Sequence, residues 1–316
     1  MRSTVPWTYK NAPVLVATIC ALIALAVAGP SVGQTSAHAS ASVAGTIGLT
    51  AGDVVIATAD GSQRRASVNH DLYVGDTINT STDGELQATL EDGGYISVKP
   101  NTVFRIDSYR ANGETDDEGL FTLVKGAVRS VTGFISKVNM SGYLIRTPTA
   151  TIGVRGTDHE TIHIPLEEAS ADETPGTHDR VYSGTTVITT ADGIVEVPAG
   201  QAGYADARRR TRPKLHKGMP RFIERRRTRH EAIVERHSKR AREHVERKLR
   251  ARGKLKPGET INDYVKRKRA ERPANRPHPN ADMHKQSPHR KRRDESMHRP
   301  LQRSDRRPPQ GDHRRP

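Results

Sequence analysis

Cysteine is nearly absent from this chain of 316 residues: Cys20 is the only one, and it lies inside an apolar run near the N-terminus. A disulfide framework and a thiolate metal site are therefore both excluded beyond that run. Aromatic residues make up only 4% of the composition, with a single tryptophan at Trp7, and hydrophobic residues as a whole reach 34%. So small an apolar share cannot give all 316 residues a packed core, and part of the chain must be something other than globular. Catalytic signatures are missing too. The sequence contains no HExxH, no GxSxG elbow and no GxxxxGK[ST] loop, and beyond Cys20 it has no cysteine nucleophile. The expectation is a protein that is not an enzyme and that holds no cofactor or metal.

What is present divides by charge. Residues 1–206 hold 13 Lys/Arg and 23 Asp/Glu, whereas residues 207–316 hold 38 and 13, so an acidic stretch is followed by a strongly basic one. The first 39 residues have the form of an export signal. Arg2 and Lys10 precede an apolar run at 12–28, and the small-residue sites Ala26-Val27-Ala28 and Ala37-His38-Ala39 follow. Cleavage after Ala39 is expected, which places the chain in the periplasm or outside the cell. A run of about 17 residues is also just long enough to span a bilayer, so an uncleaved inner-membrane anchor is the alternative. Ile19 stands where a lipidated cysteine needs a small residue, which argues against a lipoprotein.

From 43 to 204 short runs of Val, Ile, Thr and Tyr alternate with Gly, Asp and Asn every 8 to 12 residues or so, the all-β pattern. Strands are expected at 45–49, 54–58, 65–68, 77–80, 85–90, 95–98, 103–109, 120–125, 127–131, 143–147, 150–154, 159–164, 181–189 and 193–197. The pairs Asp83-Gly84, Asp92-Gly93 and Asp192-Gly193 supply hairpin turns. The fold class that follows is all-β, an antiparallel sandwich or a solenoid-like coil of sheet. The stretch 167–179, EEASADETPGTHD, reads as a polar surface loop.

Five segments occur in a telling order: GTIGLTAGDV at 45–54, LYVGDTINT at 72–80, LEDGGYISVKPNTVFRID at 90–107, LFTLVKGAVRSVTG at 120–133 and RTPTATIGVRGTD at 146–158. Their succession resembles the FecR family domain over about 43–165, and VYSGTTVITTADGIVEVPAGQAGY at 181–204 resembles that family's closing strands. The resemblance implies an exported all-β module, the outer part of a transmembrane regulator that reports a receptor's state to a cytoplasmic sigma factor. Taken as it stands, the chain departs from that plan at both ends. About ten residues precede the apolar run, where a folded domain needs ~40, and a basic tail follows Tyr204. A free-standing binding or sensing module is the expectation, with envelope signal transduction through an anchored sensor as the alternative.

The signature residues are Gly126, Arg129, Thr147, Pro148, Gly153, Arg155, Gly156, Thr157 and Asp158. Glycines within a strand pattern mark bulges or close backbone approach. Arg155 with Asp158 reads either as a ligand-facing pair or as a tie between turns; the second is favoured, and the same holds for Arg129. His159 and His163 share one face of an extended strand, yet four residues place them about 13 Å apart, too far for one ion.

Past Ala207 the composition turns basic. Residues 205–220 read as a linker, 221–252 as a basic solvated helix with a thin stripe of Ile223, His230, Val234, Ala241, Val245 and Leu249, and 261–271 as a short helix. Beyond it the chain is Pro-, Arg- and His-rich and is expected to be disordered. The basic sites singled out are Arg225, Arg226, Arg227, Lys266, Arg267, Lys268 and Arg269. Three partners answer such charge: an unknown envelope protein or anionic lipid or polymer surface, the chain's own acidic domain, and nucleic acid. Nucleic acid is the weakest, because Phe222 and Tyr264 alone offer rings for stacking. A solvated extension with no dedicated partner is the plain alternative.

Overall fold

A computed structural model of the protein describes residues 42–208, 211–225 and 231–271. The proposed export signal, Arg226, Arg227 and residues 272–316 lie outside the described residues. The first ten strands are β1 (Val43–Ala51), β2 (Val54–Ala57), β3 (Gln63–Arg65), β4 (Asp71–Tyr73), β5 (Thr77–Thr80), β6 (Glu85–Leu90), β7 (Tyr95–Val98), β8 (Val103–Arg110), β9 (Glu118–Val131) and, after the short α1 (Ile135–Val138), β10 (Tyr143–Arg146). The chain continues through β11 (Thr151–Ile164), β12 (Gly176–Thr190), β13 (Gly193–Pro198), β14 (Ala202–Asp206) and β15 (Lys214–Leu215). It then forms α2 (Arg221–Arg225), α3 (Glu231–Ala251) and α4 (Ile261–Glu271).

The fold is mostly β, as the alternation of apolar and polar residues indicated. All the strands join one open sheet whose main path runs β15-β14-β12-β11-β10-β9-β7-β6-β1-β4; β13 pairs with β12, and a branch β3-β2-β5-β8 meets the path at β9. The pairing of β9 with β10 is parallel and the rest are antiparallel. Ile56, Ile78 and Phe104 from the branch share one apolar core with Ile47, Leu86, Ile96 and Val98 from the main path. The branch and the path thus act as two layers cut from a single sheet, because each has one apolar face to remove from water.

Long strands that change partners midway connect the layers. The first part of β9 pairs with β8 and β10, its last part with β7 and β11, and Gly126 at φ +92 marks the bend. A Cβ on Gly126 would stand 2.2 Å from Thr102 Oγ1 and 2.6 Å from the Asn101 carbonyl oxygen, so close approach of backbone requires glycine here. β11 bends at a bulge after Arg155, with Gly156 at φ +66, and the bulge leans on Gly184 of β12, also at positive φ. The separate strands expected at 120–125 and 127–131, and at 150–154 and 159–164, are therefore single bent strands. Glycine re-aims them without ending them.

Two further expectations differ. The loop expected at 167–179 ends early: β12 begins at Gly176, and Thr177, His178 and Asp179 are fully buried. Their side chains are satisfied by neighbours in the sheet, so polarity there does not mean solvent. The helix expected to be solvated over 221–252 begins with α2 and resumes as α3, and it is packed rather than free. Phe222 and Ile223 rest on Ala127, Ile162, Ile164 and Ala202. Val234, Val245 and Leu249 each have 0% exposure. A narrow stripe suffices because the flanking cations reach carboxylates on the sheet while their stems cover apolar surface. The helix ends are well marked. Gly253, at φ +64, closes α3 with bonds from Lys254 N to Leu249 O and from Gly253 N to Arg250 O, and Thr260 and Asp263 cap α4 reciprocally.

Gly126→Ala should cost more than the roughly 1–2 kcal/mol of a left-handed alanine alone, since the methyl group also collides with backbone. Gly156→Ala, whose Cβ would meet nothing within 4 Å, should cost only that strain. Urea unfolding of the two variants measures the difference, and equal losses would contradict this account of the bend.

Candidate functional site

Register decides which side chains meet on the outer face of the sheet. Gln87 lies opposite Ser97, Ser97 opposite Arg129, Arg129 opposite Glu160 and Glu160 opposite Arg180, so a polar row crosses β6, β7, β9, β11 and β12. The adjacent row carries Tyr95, Val131 and Asp158. Side chains alternate between faces along each strand, which sends Ile96, Val98 and Val128 to the apolar core.

Arg129 is the hub of this face. With 1% of its side chain exposed, it donates from Nε and Nη2 to the two oxygens of Asp158, at 2.9 and 2.8 Å, and from Nη1 to Glu235 of α3 at 3.0 Å. Its guanidinium lies 3.9 Å over the ring of Tyr182, whose hydroxyl donates to Glu160. The planar fork matches a carboxylate edge-on while its face covers an aromatic ring, a combination that lysine cannot provide. Beside it, Gln87 Nε2 donates to Glu85 at 2.6 Å, and the hydroxyl of Tyr95 bonds to the side-chain oxygen of Gln87. Burial raises the Tyr95 phenol well above its ordinary pKa, so it remains a donor.

α3 lies across this face. Val234 packs on Tyr95 and Val131, Glu235 meets Arg129, and the ring of His237 stacks on Tyr95 at 4.1 Å and 8°. Farther along, Glu91 accepts from Lys248 at 3.2 Å and from Arg252, and Glu114 accepts from Lys254 at 2.8 Å and Lys268 at 2.7 Å. The bonds from Lys254 and Lys268 hold the Glu114 carboxyl below the usual carboxylate range. Tyr264 is fully buried and donates to the Gly113 carbonyl, which fixes α4 to the loop after β8. Beside α2 there is an open cleft of about 840 Å³ lined in part by Asp172, Thr174, His216 and Phe222, across which Asp172 and Arg225 are already paired.

Residues 76–196 match the family model described as FecR protein. It is this stretch that is similar to the FecR family. A search of curated proteins returned no match. Two crystal structures of a "putative anti-sigma factor" from Parabacteroides distasonis ATCC 8503, at 1.65 and 2.50 Å resolution, are similar at 13% and 15% identity, each with a TM-score of 0.35. In each case the alignment covers 47% of this chain and 62% of the other. A structure described as "Cell surface anchoring domain" is similar at 19% identity and a TM-score of 0.19, over 20% of this chain and 82% of the other.

Within the matched residues the signature positions are distributed unevenly around the site. Arg129 and Asp158 form its center. Thr157 ties the bulge, its amide donating to Thr132 Oγ1 at 2.9 Å and its hydroxyl to the Thr185 carbonyl at 2.8 Å. Thr147 closes the turn that contains Pro148, bonding Ala150 and the hydroxyl of Thr177. Arg155 differs from its expected role: its side chain is exposed, and among the described residues it makes no hydrogen bond or ion pair. The bulge turns it outward, and Arg129 is the arginine that ties these strands. Gly153 is not required by space, since an added Cβ would meet Leu144 at an ordinary 3.7 Å.

His159 and His163 point to the opposite face from Asp158. His159 Nδ1 lies 2.9 Å from Asp179, which also accepts from Thr161 and Thr186, and His163 bonds Thr177. Among the described residues no group of three or more His, Cys, Asp or Glu side chains is placed to hold a metal. His159, Thr161 and Asp179 are fully buried, so the acid–base groups they offer have no access to a substrate. The sequence offered one signal for Asp179, its spacing from Val181 in the strand pattern, and the polar run before it masked that signal. Of the basic residues, Arg267 pairs with Glu259, Lys268 with Glu114 and Glu271, and Arg269 donates to the Lys137 carbonyl, while Lys266 is exposed. Arg267 together with the Lys256 amide holds Glu259 at a pKa of about 2.

Arg129→Ala should destabilise the protein by about 3–5 kcal/mol, because it strands the buried Asp158 carboxylate. Glu235→Gln, at a position with 44% exposure, should cost less than about 1 kcal/mol. Denaturant midpoints of the two variants test that ordering.

Docking of α3 should also weaken in mild acid. His237 faces Tyr95 from the sheet, Arg236 and Arg240 on its own helix, and His244 edge-on at 5.4 Å; His244 has Arg240, Glu243, Arg247 and Lys248 around it. Burial first, and neighbouring cations second, lower both imidazole pKa values below the ordinary 6.5. The docked helix therefore favours neutral rings. Their contribution is complete above pH 6.5 and declines as the pH falls through that value toward the lowered ones. Hydrogen exchange of α3 amides at pH 7.5 and 5.5, corrected for intrinsic rates, should show more opening in acid. His237→Phe, which keeps the stacked ring and cannot titrate, should reduce that difference.

Proposed function

We propose that this chain is a non-enzymatic binding and regulatory module of the bacterial cell envelope, exported to the periplasm or beyond. The observation that carries the reading is the FecR match over 76–196, set in a mostly β domain with buried acid–base groups walled off from solvent. Export is supported by Arg2 and Lys10 ahead of the apolar run at 12–28 and by the Ala37-His38-Ala39 site. Among the described residues no helix is long and apolar enough to cross a membrane. The apolar run itself lies outside them, and if uncleaved it anchors the module as a sensor in envelope signal transduction.

The basic segment serves two partners in this reading. Residues 231–271 engage the chain's own carboxylates, and residues 272–316, which add 13 Lys/Arg against 5 Asp/Glu, attach the module to an anionic lipid or polymer surface. Nucleic acid binding through the tail is a third reading, which the scarcity of rings disfavours.

Cell fractionation with N-terminal sequencing tests the first step. A chain starting at Ser40 in the periplasm or medium is the expected result, an intact N-terminus in the membrane favours the anchored sensor, and an intact cytoplasmic chain overturns export. Retention on anionic vesicles and on DNA across a salt series, for the full chain and a chain ending at Glu271, tests the tail. The expected loss on truncation is confined to vesicles.

A further inference from the structure

The helices rest on surfaces of different chemistry. α2 sits on the apolar patch of Ala127, Ile162, Ile164 and Ala202, and Val245, Leu249, Ile261 and Tyr264 enter the main apolar core. Between those two anchors the first half of α3 lies against β7 and β9, within a polar row of Glu85, Gln87, Ser97, Arg129, Asp158 and Glu160 that is buried throughout. Among the described residues, its buried apolar contact there is Val234 against Tyr95 and Val131. A helix packed permanently on a sheet gains from apolar area, and a buried ion pair is often no more stable than apolar side chains of the same volume. A charged and hydroxylated row beneath a helix is the composition of a surface that meets water in another state. The contrast with the apolar seat of α2 on the same face shows that this sheet builds permanent seats where it needs them.

We propose that the polar face of β6, β7, β9, β11 and β12 is a recognition surface, and that residues 231–242 are its resident occupant, displaced by a basic helix of a partner protein. The occupant states the chemistry required. Arg129 takes a carboxylate, as from Glu235; Tyr95 and Val131 take an aliphatic side chain one residue earlier; and the Tyr95 ring takes a flat ring two residues later. The occupant is itself basic, with Arg236, Lys239, Arg240 and Arg242 against Glu231 and Glu235. The proposal rests on reading the chain as a binding module and names the surface that binds. Because both ends of the resident helix are held by apolar anchors, it opens locally and rebinds with an effective concentration on the order of millimolar, so a competitor succeeds only when tight or when the resident is weakened.

Two measurements on the full chain test this. In hydrogen exchange at pH 7.5, amides of residues 231–242 should open at least about 100-fold more readily than those of 127–131 and 245–251; equal protection would overturn the proposal. In the second, a fluorescent peptide of residues 231–251 is titrated into the wild-type chain and into the double variant Val234→Asp, Glu235→Arg, which evicts the resident and leaves the sheet unchanged. The double variant should bind the peptide at least about 10-fold more tightly than the wild type, and a peptide carrying Glu235→Arg should lose that gain. No binding by the double variant, or equal binding of both peptides, would overturn it. Neither readout depends on export, so a failure here is distinct from a failure of the envelope reading.

Discussion

A guanidinium and a carboxylate held out of water face each other between β9 and β11, and much of the architecture serves to keep them paired. Arg129 and Asp158 are 1% and 4% exposed, so neither tolerates the loss of the other. Their meeting requires that two long strands bend in the right places. Gly126 turns β9 three residues before Arg129, and Gly156 turns β11 two residues before Asp158. Thr132 and Thr157 then lock the strands by exchanging amide and hydroxyl bonds. The KGAVR and RGTD segments are the two halves of one joint, each supplying a hinge glycine and one member of the ion pair.

That joint explains how much of the fold was legible. β5, β6 and β7 agree with the expected strands to the residue, because Asp-Gly turns bound them and strict alternation runs between. β9 and β11 were each divided in two, because a glycine amid β-branched residues gives the same local pattern whether the strand stops or bends. β14 was missed since AGYAD is short and weakly apolar, although Ala202 and Tyr204 are buried. These losses have one cause: local pattern reports what a segment does by itself, while partner exchange is a property of the whole sheet.

The site was legible in its residues and not in its roles. Arg129 and Arg155 carried the same two readings in sequence, and only the bulge separates them, burying one and exposing the other. The α3 stripe was judged too thin to bury because a helical wheel describes the helix and not its seat. Glu91, Glu114 and Arg129, scattered over the acidic half, complement the charges on the basic helices. No motif announces them, since complementarity across more than a hundred residues of chain leaves no mark in either segment alone.

The position of α3 and α4 near the end of the chain bears on the order of folding. A sheet of this topology depends on distant segments, and it is synthesised in full before the residues that cover its outer face exist. For that interval the β domain stands bare. An apolar face of that breadth would invite association between unfinished chains, whereas a row of Gln, Ser, Arg and Glu stays hydrated. The polar composition beneath the helix thus also protects the half-made protein, and the apolar area awaiting cover is confined to the patch that Phe222 and Ile223 reach first and to the places that Val234, Val245, Leu249, Ile261 and Tyr264 later fill.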